Sequence, residues 1–181
     1  MTEEFQDKNI LITGASKGLG YVCSQAFESQ GARLVLAARS LDKLEKLRNS
    51  FMDPSKHLAF AGDLLNQRNI ETLVNKGVAH TGGFDIILHV LGGGYGFREP
   101  LLTWDQLETL HRVNVGVAAE INRLVAPEMV SKGSGRLVHV GSIASQEATA
   151  SVGYNTVKSA LAAYVRSLGR ELAESGVVVT G

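Results

Sequence analysis

The 181-residue chain is 44% hydrophobic and 20% charged, with 18 basic residues against 18 acidic ones, which allows one sizeable core and points to a single domain over 1–181. Charge so balanced, with no dense run of either sign, argues against nucleic acid or an anionic membrane surface as partner, and no run approaches the roughly 18 apolar residues of a membrane span. Met1 to Lys8 lack the basic start and apolar stretch of a signal peptide, and the single Cys23 admits no internal disulfide, so a cytoplasmic protein is expected.

Short runs rich in Ile, Val and Leu alternate with longer segments of helical period, the pattern of βα units around a parallel sheet. Strands are expected near 8–13, 33–38, 57–62, 84–91, 136–141 and 177–180, and helices near 18–30, 40–50, 66–80, 103–131 and 152–175. Gly31, Gly133 and Gly176 are placed to end three of those helices. Strands this apolar need cover on both faces. The expected fold class is therefore α/β, a doubly wound Rossmann-type parallel sheet of order 3-2-1-4-5-6 with no seventh strand. A ligand crevice then falls at the carboxyl ends of strands 1 and 4.

The first strand runs into Thr13-Gly14-Ala15-Ser16-Lys17-Gly18-Leu19-Gly20. Gly14 suits a tight turn off the strand, Gly18 lets backbone approach a pyrophosphate, and Gly20 lets the new helix pack close to the sheet. The amino terminus of that helix offers unpaired N–H groups to phosphate oxygens. A glycine turn with no ligand is the competing reading, and the strand before and helix after weigh against it. The second strand ends in Ala37-Ala38-Arg39-Ser40, with no carboxylate for a ribose 2′-hydroxyl. Lys17 and Arg39 can instead converge on a 2′-phosphate, the arginine with bidentate geometry, although each taken singly also fits a solvated surface cation.

After the fourth strand, Gly93, Gly94 and Gly96 make a pliable segment in which Tyr95 and Phe97 either line a substrate entrance or belong to a surface loop. Asn114 falls in the long predicted helix, where asparagine is a mediocre helix former. Ser142 follows the apolar fifth strand, placed to donate to a substrate oxygen or to cap the next segment. In Tyr154-Asn155-Thr156-Val157-Lys158 the four-residue step sets the phenol and the ammonium on one helix face. There the cation favours the ionised phenol and proton transfer near neutral pH. By itself an exposed helix pair would explain that spacing equally well.

Together these motifs resemble the short-chain dehydrogenase/reductase family, in the branch with a TGxxxGxG loop and a YxxxK pair, and the resemblance runs through the whole chain. It implies an oxidoreductase that passes hydride between a nicotinamide cofactor, here NADP(H) rather than NAD(H), and a small carbonyl or alcohol substrate. It implies Tyr154 as acid/base, Ser142 as the group orienting the substrate oxygen, Lys158 as partner of the tyrosine and holder of the nicotinamide ribose, and Asn114 as support for a proton-relay water. The cofactor would be held by Gly14, Ser16, Lys17, Gly18, Leu19, Gly20, Arg39, Asp63, Leu64 and Gly92, with Asp63 and Leu64 at the adenine, and by Tyr154 and Lys158. No metal is called for. Relatives pair the helices corresponding to those of Asn114 and Tyr154 between subunits, so a homo-oligomer is implied.

Three departures from the family pattern stand out. Where relatives usually read Asn-Asn-Ala-Gly after strand 4, this chain reads His89-Val90-Leu91-Gly92. His89 is read as a structural strand-end residue, and Leu91 as a bulkier neighbour of the cofactor. The step from Ser142 to Tyr154 is one residue shorter than is common. Relatives also continue beyond the equivalent of Val177–Gly181 with a substrate-covering segment and a seventh strand, so the chain reads as truncated. A dinucleotide-binding module without turnover is accordingly the alternative function, and a nucleotide-sugar epimerase is disfavoured by the spacing of the glycine loop.

Overall fold

Six apolar runs become strands of one sheet in the computed structural model, which describes residues 4–181. They are β1 (Asn9–Thr13), β2 (Arg33–Ala38), β3 (Leu58–Ala61), β4 (Ile86–His89), β5 (Gly135–His139) and β6 (Val177–Thr180). All pairings are parallel and the order is β3-β2-β1-β4-β5-β6, as expected from the sequence. Six α-helices accompany them: α1 (Gly18–Glu28), α2 (Leu41–Arg48), α3 (Gln67–Thr81), α4 (Trp104–His111), α5 (Val117–Lys132) and α6 (Val152–Leu172). None of the helices is long and apolar enough to cross a membrane.

The near-continuous apolar strands are explained by two core layers, one on each face of the sheet. Leu11, Val35, Ile87 and Leu137 point into one layer with Leu73 of α3 and Ile121 of α5. Their neighbours Ile10, Ile12, Leu34, Leu36, Ile86 and Leu88 point into the other with Leu44 and Leu47 of α2.

The element ends differ from expectation where side chains take over backbone partners. β4 stops at His89 because the N–H groups of Val90 and Leu91 donate to Thr13 Oγ1, at 3.1 and 3.2 Å, instead of extending a ladder. The single helix expected over 103–131 is three pieces, α4, a π-helical turn at Arg112–Gly116, and α5. The Val117 N–H reaches back to Arg112 O, one residue further than an α-helix allows. Gly133 caps α5 in the left-handed region as expected, and Gly82, not anticipated, does the same for α3. α1 instead ends at Glu28, before Gly31, and Gly176 closes the short 3₁₀ turn Ala173–Ser175 that follows α6.

A polar row crosses the sheet just beneath its carboxyl rim. His89 and His139 are register partners on β4 and β5, their rings stacked with centroids 4.6 Å apart. His89 Nε2–H donates to Asn122 Oδ1 at 2.8 Å, and Asn122 Nδ2 donates to His139 Nε2 and to Tyr164 Oη, each at 3.1 Å. His139 Nδ1–H donates to Thr180 O at 3.2 Å. These proton positions are assigned from the network: the Thr180 carbonyl can only accept, which fixes the His139 tautomer and then the direction of the Asn122 amide. His89 Nδ1 is buried without a partner. Burial, then the proximity of His139, depresses the pKa of His89 to about 3, and burial lowers that of His139. His89 is thus the structural strand-end residue the sequence suggested.

Candidate active site

β1 and β4, paired side by side as far as Thr13 and His89, mark the point where the strand order reverses, and the glycine loop leaves the sheet there. Gly14 leaves β1 at φ +71° and Gly18 enters α1 at φ +56°. A Cβ built on Gly18 meets nothing within 4 Å, so this glycine is required by backbone conformation and leaves the ligand side open. A Cβ on Gly20 would lie 2.5 Å from Gly14 O. The third glycine therefore lets α1 pack on its own loop, a contact more local than the helix–sheet packing expected. No side chain caps the first turn of α1 and no carboxylate stands in it, so its first N–H groups are left without a side-chain partner.

A cleft of about 260 Å³ opens beside this loop, lined by Gly14, Ser16, Lys17, Arg39, Asp63, Leu64 and Gly92 among the residues singled out from sequence. Gly18, Leu19 and Gly20 do not line it, and Leu19 is half-exposed. Sequence reasoning missed Ser40 and Lys43, which bring a hydroxyl and a third cation to the same wall. Lys43 lies in the first turn of α2, and its place beside Arg39 is readable only once that helix is known to start at Leu41. Asp63 brings one carboxylate to the same cleft, and its Oδ1 accepts the Leu65 N–H at 3.1 Å. Leu91 lines the cleft while also packing against the core layer under α3 and α5, so its bulk is partly absorbed by the interior.

On the β4 side of the cleft, Asn114, Lys158, Tyr154 and Gly92 converge. The π-turn aims Asn114 at the loop after β4, where its Oδ1 accepts the Gly93 N–H and its Nδ2 donates to Gly93 O, both at 3.0 Å. A second Nδ2 bond to Leu110 O, at 2.9 Å, leaves one Oδ1 lone pair as the open valence of that amide. Lys158 is 5% exposed. Its Nζ donates to Val140 O at 2.8 Å and lies 5.7 Å from the centroid of the half-buried Tyr154 ring. A Cβ built on Gly92 would stand 2.9 Å from Asn114 Oδ1 and 3.6 Å from Lys158 Nζ, which explains a glycine there. Burial lowers the Lys158 pKa from its ordinary value.

Ser142 lies two residues beyond Val140, whose carbonyl accepts from Lys158 Nζ. Its Oγ accepts the Ala144 N–H at 3.2 Å, capping the 3₁₀ turn Ile143–Ser145. It lines a hollow of about 600 Å³ with His139, Gln146 and Arg166, whereas Tyr154 lines a separate one of about 450 Å³ with Gly93, Gly94 and Arg98. Among the described residues, no cluster of three His, Cys, Asp or Glu side chains could hold a metal ion.

Residues 8–181 match the family model described as short chain dehydrogenase. The chain belongs to the short-chain dehydrogenase/reductase family. Its similar proteins include an uncharacterized oxidoreductase of Staphylococcus epidermidis, 27% identical over 176 residues that make up 97% of this chain and 76% of the relative. Among solved structures it is similar to the L-sorbose reductase of Gluconobacter frateurii, complexed with NADPH and L-sorbose, at 26% identity and a TM-score of 0.90, over 99% of this chain and 69% of that one. A short-chain dehydrogenase of Streptomyces avermitilis gives 26% identity and a TM-score of 0.85 over 95% of this chain. The chain spans 63% of that protein's length. Members of this oxidoreductase family bind nicotinamide dinucleotides.

Proposed function

We propose that the protein is an NADP(H)-dependent carbonyl reductase or alcohol dehydrogenase in which Tyr154 gives or takes the proton of the substrate oxygen. The observation that carries this reading is the convergence of the buried Lys158 ammonium on Tyr154, Asn114 and Gly92 at the rim of the dinucleotide cleft. Lys17, Arg39 and Lys43 in the lining of that cleft favour a cofactor with a 2′-phosphate over one without it. The glycine loop and the uncapped first turn of α1 fit a pyrophosphate, with Ser16 and Gly92 beside it and Asp63 and Leu64 toward the adenine.

When bound, the nicotinamide supplies or accepts the hydride. The rest falls to this chain. The Ser142 hydroxyl accepts from Ala144 and keeps its own proton for a substrate oxygen. Tyr154 exchanges the proton at that oxygen, and the nearby Lys158 cation stabilises negative charge developing on the phenolic oxygen. Asn114 holds Gly93, and through it the loop that borders both cleft and hollow, and retains one lone pair for a relay water. In this reading residues 1–181 act as one dinucleotide-binding unit of a cytoplasmic protein. The exposed Trp104, Leu107 and Val152 on α4 and α6 support self-association near the helices bearing Asn114 and Tyr154, which sedimentation of wild type against Trp104→Glu will test.

The decisive experiment replaces Tyr154 by phenylalanine. NADPH affinity stays within about twofold of wild type, while kcat for carbonyl reduction falls by roughly 10²-fold or more, the range of general acid–base catalysis. Unchanged turnover removes Tyr154 from the chemistry. NADPH binding without turnover in the wild type instead favours a dinucleotide-binding module.

A further inference from the structure

The loop after β4 is built in steps that end at an arginine. Gly93 is clamped at its N–H and its carbonyl by Asn114. Gly94 then opens a reverse turn closed by the Phe97 N–H donating to Gly94 O at 3.0 Å. Tyr95 and Gly96, at its centre, take φ of +54° and +79°, the mirror-image turn that ordinarily calls for Gly, Asn or Asp at both places. A tyrosine kept in the left-handed region marks a turn held by its surroundings rather than by its own preference. The turn sends Tyr95 into the dinucleotide cleft and delivers Phe97 and Arg98 to the neighbouring hollow that holds Tyr154.

Arg98 is the single charged side chain lining that hollow, and no carboxylate lines it. Among the described residues Arg98 makes no ion pair, like Arg39, Arg68, Arg136 and Arg166 and unlike Arg33, Arg48, Arg112, Arg123 and Arg170. Ser151, on the wall beside Tyr154, makes no capping bond with its hydroxyl. A planar guanidinium with unspent donors, next to a free hydroxyl, matches the oxygens of a carboxylate or phosphate.

We propose that the hollow beside Tyr154 takes carbonyl compounds bearing a carboxylate or phosphate, and that Arg98 is the residue that selects them. The proposal rests on the reading of Tyr154 given above. It makes the substrate an oxo acid or a phosphorylated ketone, anchored by its anion at Arg98 with its carbonyl turned toward Tyr154.

The test uses the whole chain saturated with NADP⁺, which has no hydride to give, so that carbonyl probes bind without turnover. Pyruvate, acetoacetate and levulinate place the carboxylate at increasing distance from the carbonyl, and each is compared with its methyl ester by ligand-observed NMR. Dihydroxyacetone phosphate against dihydroxyacetone forms the phosphate arm. At least one anion is expected to bind about tenfold or more tightly than its neutral counterpart. Arg98→Gln should abolish that difference and Arg98→Lys keep part of it, with NADP⁺ affinity unchanged in both. No anion preference across the panel with NADP⁺ bound, or a preference that survives in Arg98→Gln, overturns the role of Arg98. Failure of NADP⁺ to bind overturns the reading of the cleft instead, and the same titrations on the free chain still decide Arg98.

Discussion

Arg39 follows Ala38 straight off the end of β2 into the dinucleotide cleft, and Lys17 and Lys43 flank it there without an ionic partner among the described residues. Three cations against the one carboxylate of Asp63 leave the cleft lining net positive, which favours a ligand with an added phosphate. Arg39→Ala is expected to weaken NADPH binding by about 1.5–3 kcal/mol, the range of a charge-assisted contact, and to leave NADH nearly unchanged. Parallel fluorescence titrations of the two cofactors check it, and equal losses would sink the idea. Lys17 and Arg39 were legible because each adjoins a recognisable feature, a glycine motif and a strand end. Lys43 was not, since its place depends on where α2 begins. Gly20 shows the same limit: its type was legible, but its contact with Gly14 O emerges only from the path of the loop.

At the scale of elements, the strands were readable to within two residues at either end because burial on both faces leaves a dense apolar signature. The segment 103–131 was not, because its apolar period continues through the π-turn and nothing local announces the wider step. What sets that turn is tertiary: Asn114 reaches the backbone of Gly93, 21 residues away in sequence. Removing the amide should leave the Gly93 N–H and carbonyl and the Leu110 carbonyl short of partners. Asn114→Ala is accordingly expected to cost about 2–3 kcal/mol in urea unfolding. It should also raise amide exchange at Gly93 well above that of the β4 strand itself. Protection at Gly93 equal to wild type would show that the loop is held by other means.

For the whole molecule, the strand order followed from sequence through the right-handed crossover rule, which leaves few arrangements for six parallel strands. The polar row under the rim did not. His89 was visible as a departure, but its link through Asn122 to His139, Tyr164 and Thr180 joins β4, α5, β5, α6 and β6 and exists only in three dimensions. Both histidines have folded pKa values below that of a free imidazole, so the unfolded chain binds more protons as pH falls below about 6.5. The His89 contribution is complete above that pH and is lost as pH falls toward 3, by up to about 1.4 kcal/mol per pH unit, and His139 acts in the same direction. Tyr164 and Lys158 are the other titratable groups against the pair: burial raises the Tyr164 pKa, and Lys158 acts to lower that of His139. Denaturant unfolding of wild type and His89→Asn between pH 4 and pH 7 should give slopes that differ by about one proton, with carboxylate contributions common to both. Parallel curves would show that His89 does not titrate on unfolding. Every donor in the row points from β4 toward β6, and its middle link is an amide, which cannot hand on a proton without losing its own bonding pattern. The row therefore conducts nothing: under the proposed mechanism a proton exchanged at Tyr154 stays at the rim, insulated from the interior of the sheet.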